Sequence, residues 1–488
     1  MLDKTQRVAI DAPALDAPVL GGITKPDLIT VEQAKAMSLA DMTTLFKDHL
    51  NPGQLHFMKL LGFNKVKVES AEGMYYTDQN GRKILDFFGG FLARSPSATI
   101  TPASCRRAKN SRTKTATRSR SRSCRNMRQR LPRTLRRSHL AISTWSSSAH
   151  PAPEAMEAAL KVAERAAGPK RPRIVYAENS FHGKTKGVLS ITDGPLYRGE
   201  FKLLDNNVKV PFGDIDAIRN AFERDPTIGV LVLETIQGGG GIVQASPEFW
   251  REVRALCDKY GVIWVADEVQ CGMGRSGRFF AFEHAGVVPD VTALAKSLGG
   301  GKSAMAAMIA RRDVYMKAYG TKNTAMIHAH ATFGGIGEAC ITAIEGLNIM
   351  YDEDLIENAA VQGEYLLERL NALKAKYPKI IKDVRGQGLM VGLEFQDFSQ
   401  TLPMVLRPVV SVLDDKLKGS LSGFIGALLL KDYDTLVAFT EYNRNVIRLE
   451  PPLICERQHV DQFVDALDDL LGRGIIRIVK DFIGSQFG

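Results

Sequence analysis

Acidic residues are missing from one long stretch of this chain. From Leu92 to Pro153 there are fifteen Lys or Arg and not one Asp or Glu, and removing those fifteen takes the formal net charge from +10 to −5. The positive charge is therefore the property of one segment. It gives no ground for expecting a nucleic-acid partner of the whole protein. Cysteine is also scarce: there are six, with no CxxC pair and no spacing to His that suits a metal ligand set. A reducing, cytoplasmic setting is therefore expected. Long apolar runs are lacking too. The longest, Phe424 to Leu430, falls far short of the roughly 20 residues of a membrane helix. The start, MLDKTQRVAIDAPALDAP, has neither the basic head nor the apolar stretch of a secretory signal.

What is present is a chain of 488 residues with 44% hydrophobic content, long enough for a large core and more than one domain. Gly229 to Glu234 (GVLVLE) and Val262 to Asp267 (VIWVAD) are short β-branched runs suited to strands buried on both faces. Between them SPEFWREVRALCDKYG reads as a helix, with Ser246 as cap, Pro247 in the first turn and Gly261 as the stop. Repeated strand–helix alternation predicts a mainly parallel α/β sheet with its chemistry at the carboxyl ends of the strands. Glu234 and Asp267 stand at two such ends. After Ile344 come long amphipathic helices, then VRGQGLMVGLEF and VIRLEPPL, which read as a smaller α+β domain. The expected division is an N-terminal segment over 1–85, a large domain over 86–345 and a small domain over 346–488.

The glycine-rich stretches test two nucleotide-binding readings. GGGKS at Gly299 to Ser303 ends like a P-loop, but the first glycine of that pattern would have to stand at Lys296, and it does not. Gly238 to Gly241 lacks the spacing and the following acid of a dinucleotide site. A different chemistry fits better. Lys296 follows the apolar VTALA and precedes three glycines, where a desolvated amine becomes nucleophilic. An Asp at a neighbouring strand end could hold a pyridine nitrogen protonated, and the two together make the minimum electron sink of a pyridoxal phosphate site. Taken singly, a strand-end Asp is more often a helix cap and a lone Lys is usually solvated.

ETIQGGGG, ADEVQCGMGRSGRFFAFEHAGVVPDVTALAKSLGGG, ATFGG and VIRLEPPL together resemble the class III, or ω-amino, aminotransferases dependent on pyridoxal 5′-phosphate (PLP). HLNPG and FHGK (Phe181 to Lys184) bring the chain nearest to the putrescine and ornithine branch. The resemblance implies a fold type I enzyme working as a homodimer or higher oligomer, with an amino donor and a 2-oxo acid acceptor. It implies Lys296 as the Schiff-base lysine and general base, and Asp267 as the partner of the ring nitrogen. Phe181 would stack on the ring, Val269 would pack its other face and Gln270 would meet the phenolic oxygen. Thr332 of a neighbouring subunit would reach the phosphate. Glu234 would face the substrate side of the ring unless its role is structural. His182 could be catalytic or a packing residue. Arg448 would grip the carboxylate of the acid substrate through its planar fork, unless it only forms an ion pair in the small domain. Two positions depart from the pattern and bear on the substrate. Gly239 stands where many members have a glutamate able to neutralise the arginine, which predicts an Arg448 with no carboxylate partner. Lys184 stands where the ornithine branch has an arginine.

Composition alone would make Leu92 to Pro153 a disordered, polyanion-binding arm, and its presence supports an alternative reading as an impaired family member or scaffold. The genetic code offers another account. Displaced by one nucleotide, Pro151-Ala152-Pro153 permits Ser-Gly-Ser, the phosphate-binding sequence the family places just before the glutamate corresponding to Glu154. Ser97 to Pro102 likewise permits Phe-Gly-His-Asn-His-Pro, a sequence typical of the family. The tract is therefore expected to be frame-shifted.

Overall fold

The computed structural model describes residues 33, 36–49, 55, 58–89, 140–146, 151–205, 207–301, 303–324, 337–397 and 421–487. Thr332 and most of the basic tract lie outside the described residues. The chain divides into two compact units, Met1–Leu55 and His56–Gly488. In the first, the helix Leu39–His49 opens on Ser38, whose hydroxyl accepts from the Asp41 N–H at 3.1 Å and donates to the Asp41 carboxylate at 2.6 Å. This exchange satisfies one of the free donors at a helix start.

The second unit is built on two seven-stranded sheets. In the first, the strands run in the spatial order Leu140–Ser146, Ala306–Arg311, Val291–Leu294, Ile263–Asp267, Ile228–Glu234, Arg173–Ala177 and Val208–Val210. Ala306–Arg311 is antiparallel to both its neighbours and the other pairings are parallel. Ile228–Glu234 is buried at all seven positions, as its unbroken apolar run requires. Its side chains divide by the two-residue strand period. Val230 and Val232 join the core under the helix Pro151–Ala167, while Leu231 and Leu233 join the core that holds Phe249, Trp250 and Trp264.

The crossover helix Pro247–Tyr260 has the ends its sequence suggests. Ser246 Oγ accepts from the Phe249 N–H at 3.2 Å, Pro247 sits in the first turn and Gly261 closes the helix in the left-handed conformation, φ 62°. The basic tract departs from a wholly irregular arm. Its last residues form the edge strand Leu140–Ser146, paired with Ala306–Arg311, and open the helix Pro151–Ala167. LAISTWS carries no charge and is rich in β-prone residues, which accounts for the strand.

The second sheet runs in the order Val68–Glu72, Tyr75–Asp78, Lys83–Phe87, Thr435–Phe439, Val446–Leu449, Met390–Phe395 and Ile381–Gln387. Lys83–Phe87 pairs in parallel with Thr435–Phe439, so strands from early in the sequence complete a sheet otherwise made by the C-terminal part. The helix Leu421–Tyr433 carries the longest apolar run and is buried from Leu421 to Leu430. Its hydrophobicity serves the core. No described helix is long and apolar enough to cross a membrane.

Candidate functional site

Parallel pairing puts the two strand-end acids side by side. Asp267 is in register with Glu234 on one side and with Ala293 on the other. Both acids are buried. Asp267 Oδ2 meets His182 Nδ1 at 2.8 Å, and its Oδ1 accepts from the Val269 N–H at 3.0 Å. The His182 side chain is fully buried, and its Nε2 has no hydrogen-bond partner among the described residues. Glu234 accepts from the N–H groups of Phe181 at 2.9 Å and Gly238 at 3.2 Å. Burial pushes its carboxyl up to about 7, and Asp267 adds to the rise.

Lys296 opens a single 3₁₀ turn directly after the strand Val291–Leu294. Its φ of 45° is left-handed, an unusual and strained conformation for a lysine. The side chain is accessible to water, yet protein surrounds it closely enough that desolvation lowers the pKa of the amine. Glu450, Glu441 and Asp267 oppose the shift and Arg448 adds to it, so all four lie within electrostatic reach.

The neighbouring sheet supplies those charges. Arg448 sits on Val446–Leu449 with Nε 3.4 Å from Glu450 Oε2 and a terminal nitrogen 4.0 Å from Glu441 Oε2. The expectation of an Arg448 without a carboxylate partner is therefore wrong. Gly239 removes one glutamate, but Glu441 occupies the adjoining space, and a Cβ built on Gly239 would lie 3.1 Å from its Oε2. Gln270 donates from Nε2 to both oxygens of Glu450, at 2.8 and 3.1 Å. Phe181 packs edge-on to Tyr197, with centroids 5.3 Å apart, and Tyr197 meets Tyr442 in the same manner at 6.4 Å. Lys184 stands farther out, exposed, with its ammonium 5.0 Å from the centre of the Tyr197 ring.

Glu450, Glu441, Tyr197 and Tyr442 were not identified from the sequence. Glu450 carried a usable signal, because residues i and i+2 of a strand share a face and it follows Arg448 by two. Glu441 lies in a turn, where no periodicity points to it.

PLP has a ring and a phosphate, and the site suits them unequally. A buried carboxylate already oriented by a histidine, a desolvated amine and an aromatic wall suit a protonated pyridine aldehyde. The helix start Pro151-Ala152-Pro153 is poorer. It lies against the backbone that follows His182, since a Cβ on Gly183 would come within 3.1 Å of Pro153. Helix starts hold phosphates through N–H groups and hydroxyls, and here two of three residues lack the N–H and none has a hydroxyl.

Comparison with known proteins shows the family of the chain. The family model for class III aminotransferases matches residues 62–471. A putrescine aminotransferase of Pectobacterium atrosepticum is 32% identical over 448 residues, 88% of each chain. Aminotransferase PigE of a Serratia species is 35% identical over 341 residues, 64% of this chain, which spans only 39% of PigE. Among solved structures, a PLP-bound amine transaminase from an uncultivated Pseudomonas species superposes with a TM-score of 0.69 at 26% identity, over 83% of this chain and 94% of its own. With a fold type I architecture and a family match across most of its length, this chain belongs to the PLP-dependent class III aminotransferases.

Proposed function

We propose that the protein moves an amino group from an ω-amine, a diamine or an ornithine-like compound, to a 2-oxo acid such as 2-oxoglutarate, in two alternating half-reactions at one site. The observation that carries this reading is the grouping of Lys296, Asp267 and Arg448. A histidine-bound carboxylate and a guanidinium both lie within electrostatic reach of a desolvated amine. PLP, when bound, supplies the electron sink. Lys296, with its lowered pKa, takes the proton from the donor carbon as a general base. Asp267 presents negative charge to the ring nitrogen, and His182 holds that carboxylate in place. Phe181 and Val269 confine the ring. Arg448 takes the carboxylate of the acid substrate, and Glu234, its pKa raised by burial, repels that carboxylate less than a fully ionised glutamate would. Similarity to a putrescine aminotransferase supports the amine class. The working form is a homodimer or higher oligomer in the cytoplasm.

A second reading, an impaired family member, is favoured by one observation, the two prolines at the helix start. Incubation with PLP, 1,4-diaminobutane and 2-oxoglutarate separates the two. Glutamate forming in proportion to the diamine consumed supports transamination, and PLP binding without glutamate supports impairment. In the first case Lys296→Ala should still bind PLP while glutamate formation falls to background.

A further inference from the structure

Three carboxylates, Glu450, Glu441 and Glu234, lie within electrostatic reach of Arg448, and two are already committed. Glu234 accepts from two backbone N–H groups, and Glu450 accepts twice from Gln270. Glu441 differs. Its Oε2 is buried and has no hydrogen-bond partner among the described residues. At 4.0 Å from Arg448 it attracts the guanidinium without bonding to it. Its side chain keeps 28% of its surface exposed, so the residue is partly accessible although Oε2 is not.

The turn that carries Glu441 is anchored on both sides. The Tyr442 N–H donates to the Gly239 carbonyl at 3.1 Å, and the Tyr442 hydroxyl donates to the Ser180 carbonyl at 2.9 Å. The Val446 N–H donates to the Asn443 carbonyl at 3.2 Å, and the Asn445 N–H to Asn443 Oδ1 at 3.1 Å. Beside the carboxylate stands the wall formed by Phe181, Tyr197 and Tyr442. An apolar wall ending in a carboxylate suits a short polymethylene chain that ends in an ammonium group.

We propose that Glu441 receives the distal ammonium of a diamine donor, with Arg448 as its counter-ion when no amine is present, and that this carboxylate sets the preference for diamines over monoamines. Gly239 is part of the device, because any side chain there would enter the space of the Glu441 carboxylate. When an acid substrate takes the amine's place, Arg448, still flanked by Glu450, receives its carboxylate. One pocket thus presents a carboxylate to one substrate and a guanidinium to the next.

This inference rests on the diamine reading of the function, and binding separates the two. Calorimetry on the PLP-loaded protein compares 1,4-diaminobutane with butylamine, while turnover separately reports transamination. The wild type should prefer the diamine by about ten- to a hundredfold, the value of one hydrogen bond to a charged group. Glu441→Gln should bring that preference close to unity, and Glu441→Asp should retain part of it. Affinity for glutarate, an inert dicarboxylate, should be undiminished in Glu441→Gln, which shows that the pocket is intact. A diamine preference that survives Glu441→Gln overturns the proposal, as does a wild type with no preference, whether or not the protein transaminates.

Discussion

Two buried glutamates, Glu234 and Glu268, both lie near 7 because burial disfavours their charged forms. Glu268 is held by Thr235 and by the N–H groups of Ala281 and Phe282. A carboxyl whose pKa is higher in the folded than in the unfolded state binds more protons when folded. Stability from this source falls as the pH rises from about 4.5 to about 7 and is level above it. Glu268→Gln removes that dependence. The difference in melting temperature, mutant minus wild type, should therefore rise across that window and then stay constant. Arg448 allows a sharper test of recognition. Arg448→Lys keeps the charge and loses the planar fork, weakening the acid half-reaction by about 1.5–3 kcal/mol. The half-reaction with a carboxylate-free diamine should change little. Equal losses in both would mean that Arg448, flanked by Glu441 and Glu450, serves only the structure.

Among the elements, the helix Leu355–Lys376 contains Gly363, where a Cβ would fall 2.1 Å from the Gly388 carbonyl oxygen. Alanine in a helix interior ordinarily gains up to about 1 kcal/mol over glycine. Here the added methyl meets backbone, and Gly388 is itself fixed at φ +58° with its own Cβ position filled by the Ser276 backbone. Gly363→Ala should therefore lower the denaturation midpoint, the opposite of its effect on an exposed helix. The same contrast explains what the sequence made legible. Local patterns set the buried strands of Glu234 and Asp267 and the capped helix between them, so the carboxylates could be placed at neighbouring strand ends. The pairing of Lys83–Phe87 with Thr435–Phe439 joins segments far apart in the chain, and no local pattern encodes it. Glu441 escaped for the same reason, since its partner Arg448 and its neighbour Gly239 meet only through tertiary packing. His182 could be weighed but not assigned, because its role depends on a contact with Asp267 across 85 residues.

At the scale of the whole molecule the basic tract sets the question. The fold uses its end as an edge strand and a helix start, yet that start lacks the donors a phosphate needs. A chain with the frame restored between codons 92 and 153 should therefore bind PLP far more tightly and be more soluble than the chain as it stands. Equal solubility, colour and activity in both would make the tract a true insert. The central claim is that Lys296 carries PLP at the ends of these strands. Borohydride reduction of the PLP-loaded, frame-restored protein, followed by peptide mass mapping, tests it most directly. One pyridoxyl group is expected, on the peptide containing Lys296; a label on Lys302 or any other lysine in its place would overturn that assignment.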